Sequence, residues 1–153
     1  MTVLRYTLTV ILYVGLIFNT TGCSNNVEYT PPKGSTDIAI TYYAFGKMVI
    51  DGKEYNQDLA IFPGGKIGGW SFNYASHLIT PNDFKALITD RVKTVIIGTG
   101  YSGAASLSAE GKKAIEEIRA KGIQIHVLST GKAVKLFNAS SKKGLLCCFH
   151  LNC

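Results

Sequence analysis

The run Gly98-Thr99-Gly100-Tyr101-Ser102-Gly103 has chemistry in its spacing, for it satisfies G-x-G-x-x-G directly after the short apolar stretch Thr94 to Ile97. Glycines at such positions permit positive φ and let backbone amides approach a phosphate or another anion. A dinucleotide site asks for more: the loop should open straight into a helix, and an acid should end the next strand to hold a ribose. Here Ala104 to Leu107 intervenes before Ser108, and Ser129 and Thr130 stand where the acid would be. NAD and FAD are therefore set aside and no cofactor is expected. The loop reads either as a tight structural turn or as an anion or small-ligand pocket through Gly98, Thr99, Gly100, Tyr101 and Gly103. A second stretch, Ser129-Thr130-Gly131-Lys132, opens a later helix with no acid in its first turn. Thr130 and Lys132 are thus candidate partners for a carboxylate or phosphate. It is not a P-loop, because His126 stands at the upstream glycine position and Ala133 follows the lysine. If the strands before the two loops run parallel, both loops share one sheet edge and form a crevice at a topological switch point.

The thiols come next. In the final stretch Leu145 to Cys153, strand alternation puts Cys148, His150 and Asn152 on one face and Cys147, Phe149, Leu151 and Cys153 on the other. A nearby imidazolium favours the thiolate, so Cys148 and His150 form a candidate thiol pair. The competing reading is buried cysteines serving as small hydrophobes, and C-x-x-C is absent. His77 and His126 lie far apart in the sequence, so no metal site is expected. Nor does any triad or carboxylate pair stand out.

Cys23 carries a different chemistry. Tyr6 to Phe18 is an apolar run of about 13 residues behind Arg5, the length of a signal-peptide core and short of the roughly 20 residues a spanning helix needs. Thr20-Thr21-Gly22-Cys23 resembles the lipobox of bacterial lipoproteins, in which small residues precede a cysteine whose thiol receives a diacylglyceryl group. Thr20 departs from the leucine usual three residues before that cysteine. Residues 1–22 are therefore read as a signal peptide, Cys23 as the lipidated residue and 23–36 as a flexible tether, with an uncleaved anchor as the alternative. The implied address is a cell envelope, lipid-anchored to a bacterial membrane.

Residues 37–153 must then build the domain that positions these groups, and a chain of 153 residues has room for one core. Thr41 to Ile50, Glu54 to Phe62 and Lys66 to Phe72 read as a β-meander, turning at Asp51-Gly52 and Pro63-Gly64-Gly65. Thr80-Pro81-Asn82-Asp83 starts a first helix, Ser108 caps a second that exits at Gly122, and Ser129 or Thr130 caps a third running to Lys143. Strands at Thr94 to Ile97, Ile123 to Leu128 and Leu145 to Cys153 alternate with them. This order predicts an α/β sheet with at least one parallel crossover. The net charge of +6 is carried largely by lysines on the last two helices, from Lys112 to Lys143. These read as a solvated face, with attraction to anionic lipid or an acidic partner as the alternative, and without interleaved aromatics no nucleic-acid platform is expected.

Taken in order, FGKMVIDGKEY (Phe45 to Tyr55), LITPNDF (Leu78 to Phe84), VIIGTGYSG (Val95 to Gly103), AVKLFN (Ala133 to Asn138) and HLNC (His150 to Cys153) resemble the Mth nine-three-eight-like domain family. That family includes the adipogenesis-associated protein and a mitochondrial complex I assembly factor. The resemblance implies a three-layer α/β fold with a mixed central sheet that the C-terminal strand joins antiparallel. It implies no reaction and carries no catalytic residues, because the family's best-understood members are assembly or regulatory proteins. The leading expectation is a membrane-anchored, non-catalytic binding or assembly module with a protein partner and no nucleic acid. The alternative is a small-ligand or thiol enzyme using the crevice of the two loops.

Overall fold

The computed structural model describes residues 25–153, so the expected signal peptide and Cys23 lie outside the described residues. The chain begins with β1 (Val27–Glu28), β2 (Ile40–Ala44), β3 (Lys47–Ile50) and β4 (Lys53–Tyr55), an antiparallel sheet in that order. Then come β5 (Leu59–Ile61), β6 (Ile67–Gly69), β7 (Leu78–Ile79), and α1 (Pro81–Phe84) running into a 3-10 turn at Lys85–Leu87. The last half holds β8 (Thr94–Thr99), β9 (Ser106–Leu107), α2 (Ala109–Ala120), β10 (Gln124–Leu128), α3 (Thr130–Ala139) and β11 (Leu145–His150). A central sheet has the order β10-β8-β11-β5-β6.

The layers follow from alternation along strands that are buried on both faces. Ile96, Cys147 and Phe149 point toward α3 and the four-stranded sheet, where Tyr43, Met48, Ile50, Val134 and Phe137 complete one core. Val95, Ile97, Leu146 and Cys148 point the other way, against α1, α2 and the aromatics Trp70 and Phe72. The result is a three-layer α/β fold with a mixed central sheet. β10 and β11 both run parallel to β8, so the crossover expected from the element order is present.

The expected N-terminal meander is present as β2-β3-β4, while its later part pairs separately as the β5-β6 hairpin of the central sheet. Asp51 (φ 48°) and Gly52 (φ 79°) make the anticipated tight turn, between β3 and β4. Thr41 to Ile50, however, is broken at Phe45-Gly46, where the Gly46 amide donates to the Leu151 carbonyl. Glu54 to Phe62 is broken where Asp58 is drawn into the interior, carrying the chain from one sheet to the other.

Three further expectations change. The C-terminal strand is antiparallel to β5 but parallel to β8, and it ends at His150, not Cys153. α3 stops at Ala139, because Ser140 turns extended with its hydroxyl on the Leu136 carbonyl. Lys142 then folds back so that its Nζ caps the Phe137 carbonyl at 2.7 Å and the Ser140 carbonyl at 2.6 Å, a cation placed at the negative end of a helix. Burial lowers the Lys142 pKa from the ordinary lysine value. Finally, the segment read as a tether contributes β1: Val27 is buried, and its strand pairs with Tyr42 and Tyr43.

One side chain ties α3 to the four-stranded sheet. Asn138 on α3 accepts from the Ile40 amide at 3.0 Å and donates to the Ile40 carbonyl at 2.8 Å. Asn138→Ala removes both partners from a half-buried backbone site and is expected to cost about 1–3 kcal/mol in urea denaturation.

Candidate functional site

β8 and β10 lie side by side and parallel, and their following segments lead to helices in opposite layers. This is the switch-point geometry that the two loops required. The structure brings Gly100, Tyr101 and Gly103 to the same edge as Thr130, with Gly98 and Thr99 inside β8.

What fills the crevice is the chain itself. The Gly100 amide donates to Thr130 Oγ1 at 2.9 Å, Tyr101 to the Asn152 carbonyl at 3.0 Å, Ser102 to the Cys153 carbonyl at 2.6 Å and Gly103 to the Gly100 carbonyl at 3.2 Å. Each amide of the glycine loop from Gly100 to Gly103 already has an internal acceptor. Thr130 is fully buried and central: its hydroxyl also donates to the His150 carbonyl at 2.6 Å, and its amide donates back to Gly100 at 2.9 Å. Thr99 is held likewise by a 3.0 Å bond to the Leu128 carbonyl. Gly100 has φ 102°, and a Cβ there would sit 2.5 Å from the Asn152 carbonyl, so only glycine lets the last residues lie this close. At the start of α3, a Cβ on Gly131 would fall 2.5 Å from the Asn25 carbonyl, because the segment before β1 crosses the helix start there. Lys132 is exposed beside it.

The last strand places His150 on the α2 side, as the alternation required, but with a partner sequence reasoning missed. His150 Nδ1 meets Asp58 Oδ2 at 2.7 Å, and Asp58 Oδ1 accepts the Leu151 amide at 2.8 Å. Both side chains of this pair are 2% exposed. Phe72 stacks edge-on against the imidazole at 5.0 Å between centroids and Tyr74 covers it at 5.7 Å. His150 Nε2 is buried with no hydrogen-bond partner among the described residues. Burial raises the Tyr74 phenol, and neighbouring Asp58 adds to the shift. A cavity of about 450 Å³ beside the pair is lined by Asn56, Asp58, Trp70, Tyr74 and Asn152, among others. Cys148 is fully buried, and burial pushes its thiol up to about 12, while Cys147 is raised well above the ordinary value for the same reason. Thiols held in that state are poor nucleophiles.

His77, set aside for its distance in sequence, is brought to Cys153, with Nε2 to Sγ at 3.3 Å. Asp58 had no signal in the sequence, standing between the polar Asn56-Gln57 and the apolar Leu59 to Phe62 with its partner 92 residues away. Among the described residues no group of three or more histidines, cysteines or carboxylates could hold a metal, and no helix is long and apolar enough to cross a membrane. Asp58→Ala leaves His150 and the Leu151 amide buried without their acceptor. It is expected to lower stability by about 3–5 kcal/mol, read from the urea midpoint.

Comparison with known proteins places this geometry. A conserved hypothetical protein from Pyrococcus horikoshii OT3 is 28% identical, with a TM-score of 0.63 over 76% of this chain and 99% of its own. A Mth938-like domain from Bordetella pertussis shares the fold at 15% identity, with a TM-score of 0.57 over 81% of this chain and 91% of its own. A protein from Bartonella henselae, described as an outer membrane protein, does so at 20% identity and a TM-score of 0.59, over 75% of this chain and 95% of its own. The family model described as "Protein of unknown function (DUF498/DUF598)" matches residues 40–150. With that match over the same residues that build both cores, the chain belongs to the Mth nine-three-eight-like, or DUF498/DUF598, family.

Proposed function

We propose that this domain is a non-catalytic protein-binding module, held at a bacterial envelope membrane by lipid on Cys23, with its contact surface on the rim around residues 150–153. One observation carries the reading. The large exposed hydrophobics among the described residues, Phe45 (61%), Tyr74 (47%) and Leu78 (39%), gather at this edge of the fold. Phe45 packs on Tyr101 of the glycine loop at 5.9 Å, Tyr74 covers His150, and Leu78 follows His77, which meets Cys153. Exposed apolar groups collected in one place, with aromatics among them, suit a protein contact. The glycine-loop amides beneath are committed internally, which favours a partner on the rim over an anion in that loop.

The anchor fits the same orientation. Asn25 crosses the start of α3, at the edge that carries the rim. From Cys23 to β1 the chain has three residues, a reach of roughly 10 Å when extended, so a lipid on Cys23 would hold this edge toward the membrane. The partner is then to be sought in or near the bilayer surface. A protein of this fold from Bartonella henselae is described as an outer membrane protein, which agrees with this address.

Cys23→Ala is expected to abolish labelling by radioactive palmitate and release the protein from the membrane fraction; unchanged labelling overturns the anchor. A photo-crosslinking residue in place of Phe45 is expected to give a discrete protein adduct in native membranes. The same residue in place of Lys121, exposed beyond the far end of α2, should give none. No adduct from position 45, or the same pattern from both, overturns the binding surface.

A further inference from the structure

We propose that Cys153 is a thiol-modification site for low-molecular-weight disulfides, with His77 as the base that takes its proton. The three described cysteines fall into two classes. Cys147 and Cys148 are completely buried in the two cores, whereas Cys153 is partly exposed at the rim. Its sulfur lies 3.3 Å from His77 Nε2, within reach for proton transfer.

The pair is held from both sides. The Cys153 carbonyl accepts the Ser102 amide at 2.6 Å and the Ser102 hydroxyl at 2.7 Å. The His77 amide donates to the Tyr74 carbonyl at 3.2 Å, and its carbonyl accepts the Ser106 amide at 2.9 Å. His77 (φ 51°) and Cys153 (φ 61°) are two of the three described non-glycine residues with positive φ, a conformation that persists only where surrounding bonds impose it. A Cβ on Gly100 would lie 2.8 Å from the Cys153 carbonyl and 3.0 Å from His150 Cδ2, so glycine there lets the Cys153 backbone settle beside the buried His150 ring.

The incoming disulfide is itself the oxidant, so the step balances. Cys153 Sγ attacks one sulfur of R–S–S–R as its proton passes to His77 Nε2. The S–S bond breaks, the departing thiolate takes up that proton as R–SH, and the product is the mixed disulfide Cys153–S–S–R. This chemistry is independent of a protein partner on the rim, because it needs only His77 and solvent access to the sulfur.

The test is site-resolved reaction of the full chain with 5,5′-dithiobis(2-nitrobenzoate) at pH 7, in which peptide mapping separates each cysteine. The adduct is expected on Cys153 while Cys147 and Cys148 stay unmodified. His77→Asn keeps a residue that tolerates positive φ but cannot accept the proton, and should slow Cys153 by at least about tenfold, a threshold set below the roughly 100-fold low end of what a positioned base supplies. Continued protection of Cys147 and Cys148 in that variant reports that it is folded. Cys153 reacting no faster than the two buried cysteines, or at an unchanged rate in folded His77→Asn, overturns the proposal.

Discussion

A carboxylate withdrawn from water must be met by donors, and Asp58 is met by the His150 ring and the Leu151 amide. That requirement joins the start of β5 to the end of β11 and halts the last strand at His150. Leu151 is thereby fixed, and its carbonyl receives both the Gly46 amide and the Tyr43 hydroxyl from the four-stranded sheet. Tyr43 is buried deeply enough that its phenol is pushed upward, which keeps it a neutral donor. One buried carboxylate thus sets where three elements meet.

The consequence reaches the switch point. With Leu151 held, Asn152 and Cys153 fall across the carboxyl end of β8, and their carbonyls take the amides of Tyr101 and Ser102. The position where many α/β proteins receive a ligand is closed by this chain's own backbone. Chemistry and contact are displaced outward, to a rim of Phe45, Tyr74 and Leu78 with the His77–Cys153 pair among them. Burial separates the thiols in the same way: the two in the cores are raised out of reach of ionisation, and the one at the rim is left beside an imidazole.

Local signals carried far into the fold where neighbours in sequence are neighbours in space. Asp51-Gly52 turns as its residue types demand, Ser108 caps α2 by accepting from the Gly111 amide, and Thr80 with Asp83 opens α1. The parallel crossover and the shared edge of the GTGYSG and STGK loops were likewise legible, because strand and helix periodicities alternate cleanly there. Where long-range contacts compete, the local reading failed. Ser140 and Lys142 end α3 early, Asp58 splits a strand, and Val27 turns part of a tether into β1 because an apolar side chain found a core to enter.

The sequence by itself determined the α/β class and the residues that reach the switch-point edge, through periodicity and turn chemistry, and its ordered motifs carried the family resemblance that implied three layers. Only the tertiary structure decided what that edge contains. Whether a glycine-rich loop is open depends on which carbonyls lie over it, and those of Asn152 and Cys153 arrive from a strand some fifty residues away. Likewise Asp58–His150 and His77–Cys153 join residues whose separation along the chain carries no spacing rule, so packing alone could pair them.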